Sequence, residues 1–401
     1  MSKSNKLPVK KYLSTRLFWS GGIISFPILL MLLFSSFIFS FKTLIKERNN
    51  YYPAKDSVVT LTLSFVGDLM CHGPQYQSAK TGKDSFDFKP VYKFIKEYLS
   101  SSDFTFGNLE TVTAGKEQKF SGYPMFNSPD EYLDALKFAG FDFLFTSNNH
   151  SLDRSETGIL QTLEKLRALG INSTGTFSNQ QDRDSIRIIF KDGFTIAVLS
   201  YSYGTNGNVI PKGKDYLVNL INDELIKKDI DSAKVKKPDL ILCYFHFGAE
   251  YKRYPNQSQL DVVKKSIEYG ADIIIASHPH VIQPVKFYNN PNSKLDSTFV
   301  AFSLGNFISN QRERYKDAGV ILNLQLEKNI TQEKLSYKDI SFIPTWVFKG
   351  FAEGKNQYFI LPVTSEVSDS TFSFLSINDR NKMAQAFNDT KQILHKDISE
   401  K

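Results

Sequence analysis

Residues 271–280, ADIIIASHPH, place two histidines one residue apart directly after an apolar run. Such a run suits a strand that is buried on both faces of a sheet, which is typical of parallel α/β architectures. His278 and His280 stand out because the chain has only six histidines in 401 residues. We interpret this stretch as a buried strand whose carboxyl end points two imidazoles at one place.

Strands and helices alternate on both sides of this stretch. Strand-like runs include FTIAVLSYSY (194–203) and DLILCYF (239–245), whereas SETGILQTLEKLRALG (155–170) has helical spacing, a serine start and a glycine end. Strands that alternate with helices of about a dozen residues predict an α/β fold. The pattern becomes irregular near residue 326, so we treat 57–326 as the main domain and 327–401 as a C-terminal accessory segment.

The N-terminal 48 residues carry the whole net charge of +7, because eight basic residues there face one acid and the remainder is balanced. We therefore expect no nucleic-acid binding by the main domain. Residues 17–41 contain no Asp, Glu, Lys or Arg and are long enough to cross a bilayer as a helix. Five positive charges precede this span, which predicts a cytoplasmic N-terminus.

These features predict one arrangement in the membrane: a cytoplasmic tail (1–16), a transmembrane anchor in contact with lipid (17–41), a linker (42–56) and an extracytoplasmic main domain. A cleaved signal peptide is the alternative for the apolar span, although it is longer than a usual signal and no A-x-A-like site follows it. We interpret Cys71 and Cys243 as free, buried thiols.

Polar side chains of metal-binding type follow the ends of the predicted strands, where open α/β sheets bind their ligands. Each alone has an ordinary interpretation as a turn, a helix cap or a surface residue, but five of the six histidines lie at such places. Imidazole, carboxylate and amide oxygen suit manganese, iron or zinc, and the number of ligands allows one or two ions. The candidates are Asp68, His72, Asn108, Glu110, Asn149, His150, His246, Glu250, His278, His280 and Asn306.

Six motifs in this order resemble the CapA-type poly-γ-glutamate capsule proteins, within the calcineurin-like metallophosphoesterase superfamily. They are FVGDLM (65–70), GNLETVT (107–113), SNNHSLDRSETG (147–158), FHFGAEY (245–251), SHPHVIQP (277–284) and SLGNFISNQ (303–311). The resemblance covers roughly residues 60–310. It implies a four-layer α/β/β/α sandwich preceded by one N-terminal membrane helix.

The resemblance also implies roles for individual residues. His150 would be the general acid, and the metal ligands would be Asp68, Asn149, His246, His278 and His280. The chain departs from the superfamily pattern at Met70, where a histidine ligand is usual, and at Asn108, where a bridging carboxylate is usual.

Two other residues could compensate for these departures. Glu110 could supply the missing negative charge. His72 could replace the ligand absent at Met70 if the backbone turns after Asp68, and a solvated loop histidine is the equal alternative. The departures leave open whether the protein is an enzyme, and if it is one we expect a metal-dependent hydrolase.

Basic residues follow two of the candidate loops. Arg253 and Arg312 could hold phosphate or the carboxylates of a polyglutamate chain, with solvated surface charge as the alternative. The resemblance implies a role outside the membrane in synthesis, export or retention of an acidic polymer, beside a polyglutamate-synthesising ligase and small membrane partners. The alternatives are an extracytoplasmic metal-dependent phosphoesterase and a non-catalytic polymer-binding scaffold.

Overall fold

The computed structural model describes residues 57–364 and 372–394, and the backbone of residues 399–400. The predicted tail, anchor and linker (1–56) lie outside these residues. Within the described parts of the chain, no helix combines the length and the apolar composition that a bilayer-spanning helix needs.

The first sheet has nine strands, with β1 near its middle. On one side of β1 three strands run parallel to it, and on the other side three strands form an antiparallel meander. In spatial order the main strands are β14 (Lys355–Pro362), β13 (Lys334–Ala352), β12 (Ala318–Asn329), β1 (Val58–Leu69), β2 (Phe104–Leu109), β3 (Phe143–Phe145) and β4 (Asn172–Thr174). Two short strands pair alongside in parallel, β11 (Asn306–Ile308) with β1 and β15 (Ser399–Glu400) with β13.

The second sheet has six strands, and its four inner strands are parallel. An antiparallel strand closes each edge of the sheet. In spatial order the strands are β5 (Arg187–Lys191), β6 (Phe194–Ser202), β7 (Leu240–His246), β8 (Ile273–Ser277), β10 (Ser297–Ala301) and β9 (Val285–Asn289).

Apolar side chains join the two sheets face to face. Leu63 and Phe106 of the first sheet share one buried cluster with Val198 and Leu242 of the second. The outer face of each sheet is covered by helices, through separate apolar clusters. The helices are α1 (Gly73–Ser78), α2 (Lys96–Ser100), α3 (Glu131–Ala139), α4 (Ser155–Ala168), α5 (Gln180–Asp184), α6 (Asp223–Val235), α7 (Gln257–Tyr269) and α8 (Ile377–Leu394). The protein is therefore a mixed α/β sandwich, as predicted.

Helix α7 and strand β8 show how local sequence produces these elements. The Asn256 side chain caps α7 by accepting from the backbone N–H of Gln259 at 3.0 Å, and the helix ends at Gly270, whose φ of 111° suits glycine. Every residue of β8 is buried, in agreement with the continuous apolar run in its sequence. Helix α7 thus delivers the chain to a core strand that ends immediately before His278.

The predicted accessory segment contributes directly to the first sheet. Strands β13 and β14 pair with β12 in antiparallel order, so the sheet continues through residue 362. Helix α8 then packs over this end of the sheet through a cluster that includes Trp346, Phe359 and Met383. Residues 327–401 therefore include described elements that share the main domain's sheet and core.

Candidate metal centre

The first sheet brings three polar residues into one row. Asp68 in β1 is in register with Asn108 in β2 and with Asn306 in β11, because all three strands are parallel. The Asn108 amide Nδ2 donates to Asp68 Oδ1 at 2.8 Å and to Glu110 Oε2 at 3.2 Å. All four side chains are buried. The asparagine that replaces the usual carboxylate therefore sits between two acidic side chains and donates to both.

The second sheet supplies three histidines. His246 ends β7, and its ring centroid lies 4.8 Å from that of His278, which follows β8. The centroids of His278 and His280 are 5.7 Å apart. His246 Nδ1 lies 3.2 Å from Asn108 Nδ2, and His246 Nε2 lies 2.8 Å from Asn149 Oδ1. The carboxyl ends of the two sheets therefore meet at one place, as the strand-end pattern predicts.

The backbone at the His-Pro-His stretch is strained. His278 has a φ of 107° and His280 a φ of 58°, both in the left-handed region that non-glycine residues rarely adopt. Each such residue costs on the order of 1–3 kcal/mol, and this strain persists only where the surrounding structure imposes it. The strained backbone turns both rings towards Glu110, which is a geometry expected of a binding site.

Potential ligand atoms fall into two overlapping groups. One contains Glu110, His278 and His280, and the other contains Asp68, Glu110 and His246; within each group the ligand atoms lie within 4.8 Å of one another. Glu110 belongs to both groups, and its Oε1 is 3.7 Å from His246 Nε2 and 3.8 Å from His280 Nε2. A carboxylate shared between a pair of imidazoles and an imidazole–carboxylate pair is compatible with one ion or with two.

Two buried atoms in these groups have no hydrogen-bond partner among the described residues. They are Glu110 Oε1 and His278 Nδ1. Unpaired buried polar atoms are costly, and each requires an explanation. A divalent cation would complete the coordination of both atoms, and a set of carboxylate and imidazole donors suits manganese, iron or zinc. The residues present therefore fit a metal ion.

The electrostatics of the cluster favour binding of a cation. Burial and the neighbouring Asp68 raise the pKa of Glu110 well above its usual value. Burial opposes ionisation of Asp68, but hydrogen bonds with His280 and Asn108 outweigh it and hold its pKa below the usual value. Burial lowers the pKa of His278 to about 3 and that of His246 well below its usual value. The two imidazoles are therefore neutral, which is the form that binds metal.

His150 lies next to the ligand groups and belongs to neither. Its Nδ1 is 2.7 Å from Asp153 Oδ2, which also accepts from the Phe126 backbone N–H at 2.6 Å. The Phe126 ring packs edge-on against the imidazole with centroids 4.6 Å apart. His150 Nε2 faces Asn206 Nδ2 at 3.4 Å. Nε2, near Asn206, is thus the ring nitrogen that Asp153 does not contact. The role of His150 as an acid stays a prediction.

His72 also lies outside both ligand groups. It precedes helix α1, where its Nδ1 is 3.2 Å from Gln75 Oε1 and 3.4 Å from the backbone nitrogen of Asn310. Met70 is buried; its backbone N–H donates to the Ile308 carbonyl at 2.9 Å, and its own carbonyl oxygen accepts from Gln75 Nε2 at 3.0 Å. Glu250 is exposed. The roles considered for His72 and Glu250 as additional site residues stay predictions.

Asn306 holds the candidate ligand His280 in position. Asn306 Oδ1 lies 3.1 Å from His280 Nδ1, while Asn306 Nδ2 donates to Gln311 Oε1 at 3.0 Å and to the Lys316 carbonyl at 2.8 Å. Asn306 therefore orients a candidate ligand instead of forming a simple turn.

Sequence reasoning missed two contributions to the site: the hydrogen bonds of Asn148 and the pairing of Asp153 with His150. Asn148 Nδ2 donates to Asn108 Oδ1 at 3.2 Å, and its own Oδ1 accepts from the His150 backbone N–H at 3.1 Å. The first asparagine of Asn-Asn-His and the His-x-x-Asp spacing of residues 150–153 were the available signals.

The two arginines predicted to bind anions occupy different surroundings. Arg253 Nη2 donates to the Asp389 carbonyl at 2.7 Å, and its guanidinium lies over the Tyr315 ring at 4.3 Å. Arg312 lies over the Trp346 ring at 5.6 Å, and burial lowers its pKa. Arg253 thus contacts Asp389, and Arg312 contacts Trp346, both in the C-terminal part of the chain. Anion binding by the two arginines stays a prediction. Cys71 and Cys243 are free and buried.

Comparison with known proteins identifies the family. The model of the bacterial capsule synthesis protein family, PGA_cap, matches residues 62–311. The chain belongs to this family. The matched PGA_cap region contains every candidate metal ligand, from Asp68 to His280, and the resemblance to CapA-type proteins is confirmed.

Individual relatives agree with the family match. The chain is 28% identical over 311 residues to the PGA biosynthesis protein CapA of Bacillus subtilis (strain 168), covering 77% of each chain. It is 27% identical over 269 residues to the capsule biosynthesis protein CapA of Bacillus anthracis, covering 65% of this chain and 63% of that relative. Among solved structures, Haemophilus influenzae NAD nucleotidase (NadN) aligns with a TM-score of 0.47 and 14% identity, over 84% of this chain and 64% of that one.

Proposed function

We propose that this PGA_cap protein binds a divalent transition metal between Glu110 and its three neighbouring histidines, and that it uses this centre in making, exporting or retaining an acidic capsule polymer of poly-γ-glutamate type. The observation that supports the metal is the buried, unpaired Glu110 Oε1 in a set of neutral imidazoles. The observation that supports the capsule role is membership of the PGA_cap family, with two relatives named for capsule or PGA biosynthesis.

The proposed location follows from the N-terminal sequence. Residues 17–41 would anchor the protein in membrane lipid with residues 1–16 in the cytoplasm, so the metal centre would face the compartment where capsule polymer assembles. A polyglutamate-synthesising ligase and small membrane partners would act beside it. An acidic polymer is the substrate class that a cationic metal centre would attract.

When bound, a divalent ion would polarise a substrate oxygen as a Lewis acid. The chain's own residues would perform the remaining tasks. Asp68 and Glu110 would balance the charge of the ion, and Asn108 bridges the two acidic side chains by donating to both. Asn149 Oδ1 lies 2.8 Å from His246 Nε2, so an amide oxygen and an imidazole nitrogen would both be available to the ion.

His150 has the surroundings of a proton donor. Asp153 Oδ2 accepts from Nδ1 at 2.7 Å, so Nδ1 keeps its proton and Nε2 is the nitrogen that would carry a transferable proton. Nε2 would then give this proton to a leaving oxygen, a contribution typically worth about 10²–10⁴ in rate. This pair favours a metal-dependent hydrolase, including a phosphoesterase, over the non-catalytic scaffold.

The capsule role is tested with the full-length chain in a strain whose own gene has been removed. Cells that carry His278→Ala together with His280→Ala should produce little surface polymer, because the metal centre would lose two ligands. Lys264→Ala together with Glu268→Ala is the matched control, because both side chains are exposed on helix α7 and away from the ligand groups. Normal polymer from the histidine variant would contradict the proposal.

Variants of His150 distinguish a catalytic role of the protein from a purely scaffolding role. His150→Asn should keep its metal and lose turnover of an alkyl phosphodiester, with a smaller loss for a nitrophenyl ester whose leaving group needs no proton. The exposed pair Lys264→Ala with Glu268→Ala on helix α7 serves again as the control. Equal losses for both esters would exclude the acid role. Full capsule production by His150→Asn would favour the scaffold.

A further inference from the structure

Two loops beside the metal centre converge on one residue of the last helix. The first, which we call the β7 loop, covers residues 247–255, and the second, the β11 loop, covers residues 309–317. Both loops bond to Asp389 of helix α8. Helix α8 lies beyond the region that matches the PGA_cap family model, so family membership assigns it no function.

The β7 loop connects Asp389 to the strained histidine stretch. Arg253 Nη2 donates to the Asp389 carbonyl at 2.7 Å. Two residues earlier, the Tyr251 backbone N–H donates to the Pro279 carbonyl at 2.7 Å, between His278 and His280. The β7 loop is therefore hydrogen-bonded to the backbone that carries both candidate ligands, His278 and His280.

The β11 loop connects Asp389 to His280 from the other side. Arg314 Nε and Nη2 donate to the two carboxylate oxygens of Asp389 at 2.9 and 2.7 Å, a bidentate pair. The carbonyl of Lys316, two residues later, accepts from Asn306 Nδ2 at 2.8 Å. Asn306 Oδ1 in turn lies 3.1 Å from His280 Nδ1.

The two connections are also tied to each other. The Tyr315 ring lies between the guanidinium groups of Arg253 and Arg314, at 4.3 and 4.7 Å from its centroid. Lys316 Nζ lies over the Tyr251 ring at 4.3 Å, which joins the two loops again. Asp389 is buried, and α8 is held by the apolar cluster that contains Met383 and Ala386. A rigid helix thus fixes one end of both connections.

We infer that Asp389 is a positioning residue of the metal centre, and that the C-terminal helix is part of the metal-binding apparatus. Asp389 holds the two loops at a fixed separation, and the loops hold His278 and His280 in their strained conformation. Partners that orient metal ligands commonly change affinity by about 10–100-fold when they are removed. The inference rests on the proposed metal centre and adds a segment that the family match does not include.

The test is a titration of the full-length, metal-stripped chain with Co²⁺, followed by the visible absorption of the bound ion. Asp389→Ala should raise the dissociation constant for Co²⁺ about tenfold and change the absorption bands, because the ligand geometry relaxes. Asp389→Glu should restore part of the affinity, because a carboxylate can still pair with Arg314. Ala384→Gly is the matched control: Ala384 is exposed on the same helix, and glycine weakens the helix without removing a loop contact.

A thermodynamic cycle tests the connection through Arg314. If Asp389 acts through this arginine, Asp389→Ala combined with Arg314→Leu should weaken Co²⁺ binding no more than the stronger single change. Should Asp389→Ala fail to fold, Arg314→Leu alone carries the test and should weaken binding relative to Ala384→Gly. Equal affinity in the loop variants and the control overturns the inference and leaves the proposed function intact. Absence of Co²⁺ binding by the wild-type chain overturns both.

Discussion

Two buried polar clusters in this protein are built in opposite ways. On the outer side of the second sheet, Arg183 of helix α5 pairs with Asp229 of helix α6. Its Nη1 and Nη2 donate to the two carboxylate oxygens at 2.9 and 2.7 Å, and the Tyr201 hydroxyl adds a third bond at 2.9 Å. In this Arg183 cluster one positive charge meets one negative charge, and both carboxylate oxygens are satisfied.

The candidate metal centre is also buried, but its positive and negative charges are not matched in the same way. Asp68 and Glu110 approach each other without an arginine or a lysine among their hydrogen-bond partners in the described residues. Glu110 Oε1 and His278 Nδ1 remain unpaired. A buried hydrogen-bond network whose charges and polar atoms are all paired contributes to the stability of the fold. A buried network that lacks positive charge and hydrogen-bond donors is the kind expected to bind a cation.

The largest effect on folding should come from breaking the complete cluster. Asp229→Ala leaves the Arg183 guanidinium buried without its carboxylate, which typically costs about 3–5 kcal/mol of unfolding free energy. Urea denaturation measures this loss. Asp231→Ala on the same helix is the control, because its ion pairs are about half exposed and such pairs contribute at most about 1 kcal/mol. Metal affinity should be unchanged in both variants, and a large loss of metal from folded Asp229→Ala would break the comparison.

A smaller effect, on metal affinity, is expected from removing a side chain that orients a candidate ligand. Asn306→Ala removes the side chain that orients His280, so metal affinity should fall about 10–100-fold, or about 1.4–2.7 kcal/mol. Calorimetric titration with Mn²⁺ or Zn²⁺ measures the change. Asn290→Ala is the control, because Asn290 is also buried and hydrogen-bonded, to Thr298 at 3.0 Å, on strands outside the ligand groups. Equal losses in the two variants would mean that general destabilisation lowers affinity.

The smallest expected effect is an increase, not a decrease, in the unfolding free energy of the metal-free protein. Glu110→Gln removes a buried carboxyl group whose ionisation is opposed by burial and by Asp68, so the metal-free protein should gain about 1 kcal/mol in unfolding free energy while metal binding weakens. Asp68→Asn should not share the gain, because Asp68 Oδ2 lies 3.0 Å from His280 Nδ1 and their interaction favours the charged carboxylate. Thermal unfolding with and without metal separates the two contributions. A less stable metal-free Glu110→Gln would show that this carboxylate serves the fold.

The sequence predicted the parts of this protein that depend on neighbouring strands. Residues at the carboxyl ends of parallel strands lie in register, so Asp68 and Asn108 could be placed together from their positions after two apolar runs. The family resemblance was predicted from six sequence motifs, and that resemblance implied the α/β sandwich. That the structure brings His246, His278 and Glu110 together agrees with the expected ligand set, and their binding of metal stays a prediction.

Long-range contacts were not predictable from local pattern. The Arg253–Asp389 bond joins residues 136 positions apart, and it depends on how the last helix packs over the antiparallel end of the first sheet. The prediction of an accessory segment at 327–401 rested on the irregular sequence pattern after residue 326, whereas β13 and β14 form an antiparallel meander that extends the same sheet. The positive φ at His278 and His280 was likewise not predictable, since non-glycine residues adopt it rarely and only where the surrounding structure imposes it.

The central claim is that the strand-end cluster is a metal centre, and elemental analysis of the purified full-length chain tests it most directly. After exposure to manganese, iron and zinc followed by desalting, the wild-type chain should retain one or two equivalents of divalent metal. The variant His278→Ala with His280→Ala should retain almost none while its circular dichroism remains that of the wild type. A wild-type chain free of metal, or a double variant with undiminished metal content, would contradict the account.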